Sequence, residues 1–514
     1  MKQLFGQKVS TTYNSLTDYF EGTAIKIKTI IIALIYFVVF SVSAKEDNDT
    51  RNSVVQIFTE SFVPDYLYPW QIDYTESNSG SGVIIKGNRI LTAAHVVDNS
   101  LSIYVRKTGS DKRYKAKIEY ISDASDLVII TVDNNDFYTD TKPLLLGQVS
   151  NLGDEVTTWG FPIGGSQLTI TKGIISRIDF DRYTHSGLDN LVGQIDAAIN
   201  SGASGGPAIV DGKLAGITFQ LDSSEGASNI GYIIPLSVIS QFLKDISDGE
   251  VDGVPSITIK TQTMHNPQMR KTYRMKADMS GVLVTKSNFG HEEKQGLIMA
   301  GDVLLEIDGL SVGNDGTVPF LTGDRISLNY LFTRKQLGES ISIRLLRNGI
   351  EQSFNYQLNY NDYQSMLVTR HYSGFIPDYA VIGGLVFQEL SRDYIVNTFG
   401  EDEYPSWMLI LYNDFKENVG IKKDKVVFLA TILPDEINID YEDYIDKRIT
   451  SVNGTSINNL DELREAIKDN HSDFHIIEFE NPLGKIILNK QLAHDKEAEF
   501  IDRYNIDSSP NTNI

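Results

Sequence analysis

A chain of 514 residues is too long to fold around one hydrophobic core, so about three domains are expected. Its 41% hydrophobic and 22% charged residues are an ordinary globular composition, and a formal net charge of -22 lacks the basic footprint that a nucleic-acid partner requires. With no cysteine, thiol catalysis, disulfides and cysteine-held metals are excluded together.

Taken in chain order, Lys26 and Lys28 precede an apolar run from Thr29 to Ser43 that ends in the small residues Val42-Ser43-Ala44. This is the pattern of an export signal with its cleavage site, and the run is shorter than the roughly 20 residues a bilayer-spanning helix needs. A cleaved export segment over 1–44 is therefore expected, with the mature chain beyond the membrane in a periplasmic setting and without a stable span. Left uncleaved, the same segment would tether the protein.

From 45 to 250 the sequence breaks into short stretches rich in Val, Ile and aromatics, punctuated by Gly and polar turns, among them "GSGVIIKGNRILTAAHVV", "DLVIITV", "EVTTWGF" and "PAIVDGKLAGITFQ". That spacing predicts an all-β barrel or sandwich. It closes with "PLSVISQFLKDI", in which Val238, Ile239, Phe242, Leu243 and Ile246 share one helical face. "SDGEVDGVP" reads as the linker that follows. Further on, "VLLEIDGLSVGN" (Val303 to Asn314) resembles "RITSVNGTSINN" (Arg448 to Asn459). Each strand ends in Asp-Gly or Asn-Gly, the pairs that supply positive φ in a tight hairpin. Two copies of one small α/β module are expected, over 251–360 and 361–514. "HYSGFIPDYAVIGGLVFQEL" forms a β-rich extension before the second copy, and "LDELREAIKD" an amphipathic helix within it.

The run "INSGASGGPAIV" sets Ser204 among Gly202, Gly205 and Gly206. By itself it fits a flexible turn as well as a nucleophile, because a serine hydroxyl needs a base and donors for the oxyanion. "ILTAAHVV" places His95 just after an apolar strand, and "SDASDLVIITV" places Asp126 just before another, with Asp123 as a rival. The order His, Asp, Ser is that of chymotrypsin-type proteases. An α/β-hydrolase would run Ser, acid, His, with a helix after the serine where this chain has Pro207 and a strand pattern.

In their order across Ser53 to Ile246, "GSGVIIKGNRILTAAHVV", "DLVII", "GDEVTTWGFPIGG", "ITKGIISRID", "IDAAINSGASGGPAIV" and "IGYIIP" resemble the HtrA/DegP family of trypsin-like serine proteases. "GVLVTKS", "GLIMAGDVLLEIDG", "LRNG" and "YEDYIDKRITSVNG" resemble that family's PDZ regions, particularly those of plant Deg proteases and their bacterial relatives. The resemblance implies a multidomain chain with a chymotrypsin-like all-β double-barrel protease domain, followed by two small α/β PDZ-like domains. It implies an ATP-independent endopeptidase of envelope quality control that cleaves unfolded or damaged proteins, assembled as a trimer or a multiple of trimers, with no cofactor and no metal. His95 would be the general base, Asp126 would orient it, Ser204 would form the acyl-enzyme, and the backbone N–H groups of Gly202 and Ser204 would form the oxyanion hole. The loop "QLDSSEGASNIG" would flank a pocket for small or medium apolar residues.

Four further expectations follow. Ala203 stands where the family usually has Asn, which puts the order of the serine loop in question. Phe58, Phe62, Tyr66, Tyr68 and Trp70 fall where the family makes trimer contacts. The carboxylate-binding loop of the first PDZ module would lie at Val254, Pro255, Ser256 and Ile257, followed by Thr258 where Gly is common. His471 and His475, four residues apart, sit on a turn and a strand and do not read as metal ligands. The alternative reading is a PDZ-bearing chaperone or scaffold that binds unfolded chains without cutting them.

Overall fold

The computed structural model describes residues 49–506 apart from 164, 222–229, 258, 288–297, 322, 360–365, 370–372, 375, 401–403, 414–424 and 481–483. The export segment over 1–44 and most of the loop after "KLAGITF" lie outside the described residues.

Six strands, β1 (Val54–Pro64), β2 (Ile72–Ile85), β3 (Arg89–Ala93), β4 (Ser100–Lys107), β5 (Arg113–Ser122) and β6 (Leu127–Thr131), close into a barrel in the order β1-β2-β3-β6-β5-β4. Six more, β7 (Glu155–Gly160), β8 (Thr169–Arg182), β9 (Asp189–Ile195), β10 (Pro207–Val210), β11 (Lys213–Leu221) and β12 (Gly231–Pro235), close a second barrel in the order β7-β8-β9-β12-β11-β10. The two orders are the same, so one strand plan is used twice. The run "LVII" that reads as unbroken apolar sequence is β6, whose Leu127 to Ile130 are fully buried because both neighbours and the barrel interior cover it. Burial of each such side chain contributes about 1.5–3 kcal/mol.

Helix α1 (Leu236–Asp245) follows the second barrel and buries Leu236, Val238, Ile239 and Phe242, the face expected from their spacing. It also reaches forward: the Gln241 amide donates to the Arg334 carbonyl, and Lys244 Nζ lies 2.6 Å from Glu339.

Beyond it stand β13 (Ile259–Gln262), α2 (Pro267–Thr272), β14 (Val282–Ser287), β15 (Val303–Ile307), β16 (Leu310–Ser311), the hairpin β17 (Thr317–Phe320) and β18 (Asp324–Ser327), α3 (Tyr330–Thr333), β19 (Ser340–Arg347) and β20 (Ile350–Gln357). Their main sheet runs β13-β14-β15-β19-β20, with β16 paired to β15. The last part holds β21 (Tyr379–Ile382), β22 (Leu385–Glu389), α4 (Arg392–Phe399), α5 (Ser406–Asn413), β23 (Val427–Ile432), β24 (Lys447–Val452), β25 (Thr455–Ser456), α6 (Leu460–Lys468), β26 (Phe474–Phe479), β27 (Lys485–Asn489) and α7 (Lys490–Tyr504). Its sheet runs β21-β22-β23-β24-β26-β27, with β25 paired to β24. Apart from the added edge strand β21, this is the order of the first module. The sequence repeat falls on equivalent hairpins: Asp308 and Gly309 have φ of 53° and 80°, and Asn453 and Gly454 have 53° and 81°. Both central residues are left-handed, as a two-residue hairpin turn demands.

The aromatic segment after β1 is used within the chain. Tyr66 is buried edge-on against Tyr394, Trp70 packs on Tyr379 at 5.3 Å between centroids, and Trp70 Nε1 donates to the Tyr504 carbonyl at 2.9 Å. Tyr68 packs with Trp70 against the cluster of Tyr379 and Phe500, whereas Phe58 lies under the guanidinium of Arg113.

Candidate active site

Strands β3 and β6 are neighbours, with Ala93 opposite Leu127, so the residue just beyond one strand end must meet the residue just before the other. The chain leaves β3 through a tight turn over Ala94–Val96 that carries His95, and enters β6 through a turn over Asp123–Ser125 that ends at Asp126 with φ 50°. Asp tolerates this left-handed conformation better than most residues. Asp126 is 1% exposed, and both of its oxygens go to His95: Oδ1 accepts from the backbone N–H at 2.9 Å, and Oδ2 lies 2.7 Å from Nδ1. Burial pushes this carboxyl up, but the attraction of His95, its hydrogen bonds and a smaller pull from His185 hold it below the usual carboxylate range. An ionised partner at Nδ1 fixes the proton there and leaves Nε2 as the acceptor. The rival Asp123 turns away and accepts from Ser373 Oγ at 2.8 Å.

Ser204 comes from the other barrel, on the turn before β10. First-barrel Ser81 hooks that turn: its N–H donates to the Ser204 carbonyl at 2.9 Å, and its hydroxyl donates to the Gly202 carbonyl at 2.9 Å while accepting from the Phe161 N–H at 2.8 Å. Thr218 Oγ1 donates to the Ala203 carbonyl at 2.7 Å. The N–H groups of Ala203, Gly205 and Gly206 bond to Asn200, Thr218 and Ala203, whereas those of Gly202 and Ser204 have no hydrogen-bond partner among the described residues. Gly202 has φ +89°, and a Cβ there would lie 2.6 Å from the Ile163 nitrogen and 2.8 Å from the Phe161 oxygen, so the turn requires glycine. Ala203 packs against the apolar cluster of Val156, Ile175 and Ile195. Among the described residues no hydrogen bond joins Ser204 Oγ to His95; such bonds are often long before substrate binds.

Two contributors to this geometry are not evident in the sequence. Ser81 lies more than a hundred positions from the turn it holds, inside a run that reads only as strand. His185, one of eight scattered histidines, stacks on His95 with 3.9 Å between ring centroids and 9° between planes. His95, Asp126 and His185 bring donor atoms within 4.8 Å of one another, a grouping no other trio matches among the described residues.

Elsewhere, Val254 to Ile257 form an irregular segment ahead of edge strand β13, with Pro255 buried and the other three half-buried. Just before them the N–H groups of Asp252 and Gly253 donate to the Asp245 carboxylate, at 3.3 and 3.1 Å. His475 is buried on β26, where Asn453 and Asn470 both donate to its Nδ1; His471 stands on the turn before.

Residues 80–217 match the family model for the trypsin-like peptidase domain, and residues 368–512 match that for the PDZ domain. Two like barrels with His95, Asp126 and Ser204 at their junction, together with this match, define the class as a trypsin-like serine endopeptidase carrying PDZ modules. Protease Do-like 4, mitochondrial, of Arabidopsis thaliana is 35% identical over 459 residues, which cover 89% of this chain and 84% of that protein. Protease Do-like 2, chloroplastic, of the same organism is 32% identical over 91% of this chain and 76% of its own. The solved HtrA-type protease AlgW with decapeptide aligns with a TM-score of 0.46 at 23% identity, over 61% of this chain and 96% of that one. The chain belongs to the Do-like (HtrA/DegP) family of serine proteases.

Proposed function

We propose that the protein is an exported, ATP-independent endopeptidase that cleaves unfolded or damaged polypeptides through an acyl-enzyme on Ser204. His95 takes the Ser204 proton and later returns it to the leaving amine; Asp126 holds the imidazole and stabilises the imidazolium. The N–H groups of Gly202 and Ser204 receive the oxyanion. The observation that carries this reading is the buried Asp126 carboxylate holding His95 Nδ1 at 2.7 Å, on a barrel whose Ser81 also grips the Ser204 turn.

Export rests on the segment before Ala44, and the compartment is one beyond a membrane. Two relatives carry the labels mitochondrial and chloroplastic, which support such a compartment without singling out an envelope. Among the described residues no helix is long and apolar enough to cross a membrane. Assembly into trimers or their multiples remains part of the proposal. Its contacts would draw on Phe58 and Phe62, since Tyr66, Tyr68 and Trp70 face the chain's own C-terminal module. In the first PDZ module, Val254, Pro255, Ser256 and Ile257 are proposed to receive a substrate terminus beside β13 once the Asp245 contacts open.

The test is degradation of a permanently unfolded protein by the purified chain from Lys45 onward, without ATP, beside Ser204→Ala. Cleavage by the wild type alone is expected. Equal turnover by both would sink the assignment of Ser204, and no turnover by either folded protein would favour the non-cleaving chaperone.

A further inference from the structure

We propose that His185 is a positioning residue for the catalytic base: its imidazole, stacked on His95, holds that ring in line. The proposal rests on the triad reading above.

The two rings come from different barrels. His95 follows β3, whereas His185 sits on the turn between β8 and β9, so the stack spans the junction where Ser204 also lies. The turn is built rather than slack. Tyr183 N–H donates to the Leu188 carbonyl and Gly187 N–H to the Tyr183 carbonyl, both at 2.8 Å. The Tyr183 side chain is fully buried, donates from its hydroxyl to the Leu191 carbonyl at 2.7 Å and packs on Phe219. Ser186 is buried, and Arg392 of the C-terminal module donates to the Thr184 carbonyl at 3.2 Å. A ring carried on such a turn restricts the swing of the ring it faces, because His95 is then held at its edge by Asp126 and on its face by His185.

Among the described residues, Asp126 is the buried anion beneath the stack. The Tyr183 phenol, pushed up by burial and by Asp126, stays neutral. Asp123 is engaged with Ser373, and Arg182 pairs with Asp189 at 3.2 Å across the base of the β8–β9 hairpin. Arg392 meets the turn at a backbone carbonyl and pairs with Asp393 at 3.1 Å. The His185 ring lies within 9° of parallel to His95, and its aromatic face favours the imidazolium that forms on His95 during acylation.

The experiment measures kcat and KM against pH for full-length wild type, His185→Phe and His185→Ala on a permanently unfolded protein, with Ser204→Ala and His95→Ala as controls. His185→Phe keeps a stacking ring, and its plateau kcat is expected within about threefold of wild type. His185→Ala is expected to lose about tenfold or more in plateau kcat, with KM changed by less than about twofold, because the base is no longer aligned. A wild-type plateau kcat in His185→Ala, or a loss of kcat in His185→Phe as large as in His185→Ala, overturns the proposal. If the alanine variant does not fold, His185→Asn, which has no ring to stack, takes its place with the same expected loss. Failure of the triad reading looks different: Ser204→Ala or His95→Ala would then turn over as fast as wild type, and both readings would fall together.

Discussion

Gly202 does two things that one substitution separates from folding: it occupies φ +89°, where an added Cβ would come within 3 Å of the Ile163 and Phe161 backbone, and it offers an N–H with no partner among the described residues. Gly202→Ala must shift that turn, so the donor is displaced while Ser204, His95 and Asp126 remain. Loss of an oxyanion donor of this kind costs about 10²–10³ in kcat. We expect a fall of that size with little change in KM, measured by steady-state cleavage of an unfolded protein, with circular dichroism confirming the fold. Asp126→Asn should preserve the packing but remove the anion that fixes the Nδ1–H tautomer, and kcat should fall about 10⁴-fold. At this scale the sequence is informative where chemistry demands particular neighbours, as in "GASGG" around Ser204. It is silent on Ser81 and His185, because a hydrogen bond or a ring stack between distant positions leaves no local spacing to read.

Elements were legible where a periodic face or a turn residue sets them, as with α1, α6 and the two hairpins at Asp308-Gly309 and Asn453-Gly454. What an element packs against was not legible. Asp446 shows this: it joins β23, β24, α4 and α5 from a left-handed position between strands. Its carboxylate accepts from Tyr394 Oη at 2.8 Å, and its carbonyl accepts from Trp407 Nε1 at 3.0 Å. Burial pushes the Asp446 carboxyl up, against smaller opposing pulls from the Tyr394 hydroxyl and Lys447. A raised native pKa means that the folded state holds the proton more tightly. The resulting stability is present below the unfolded value of about 3.9 and is lost as pH rises through the native one. Asp446→Asn keeps an acceptor for Tyr394, suits a φ of 60° and carries no charge to bury. The variant should therefore unfold at the same temperature as wild type near pH 3 and at a higher one near neutrality. The measurement is thermal unfolding across that range; a constant gap, or one that shrinks with rising pH, would contradict it.

At the scale of the molecule, one continuous apolar cluster runs from Val54 through both barrels and α1 into Leu345 and Leu358 of the first PDZ module, whereas the C-terminal module keeps clusters of its own. The protease reaches those clusters through the strap between β1 and β2. Tyr66 enters one beside Tyr394 and Phe428, and Tyr68 with Trp70 covers another beside Tyr379 and Phe500. A cluster shared across domains couples their unfolding, and clusters joined by a strap allow separate transitions. Calorimetry of the full chain should therefore show two steps, one for the barrels with the first PDZ module and one for the C-terminal module. Trp70→Ala removes the ring against Tyr379 and the bond to the Tyr504 carbonyl, a loss on the order of 2 kcal/mol. It should lower the C-terminal step by several degrees and leave the other in place, because Trp70 adds nothing to the barrel cluster. Hydrogen exchange of 379–389 and 490–506 should quicken in the same variant. A single transition that moves as a whole would mean instead that the Ser373–Asp123 and Arg392–Thr184 contacts bind the C-terminal module to the catalytic barrels as firmly as a shared core would.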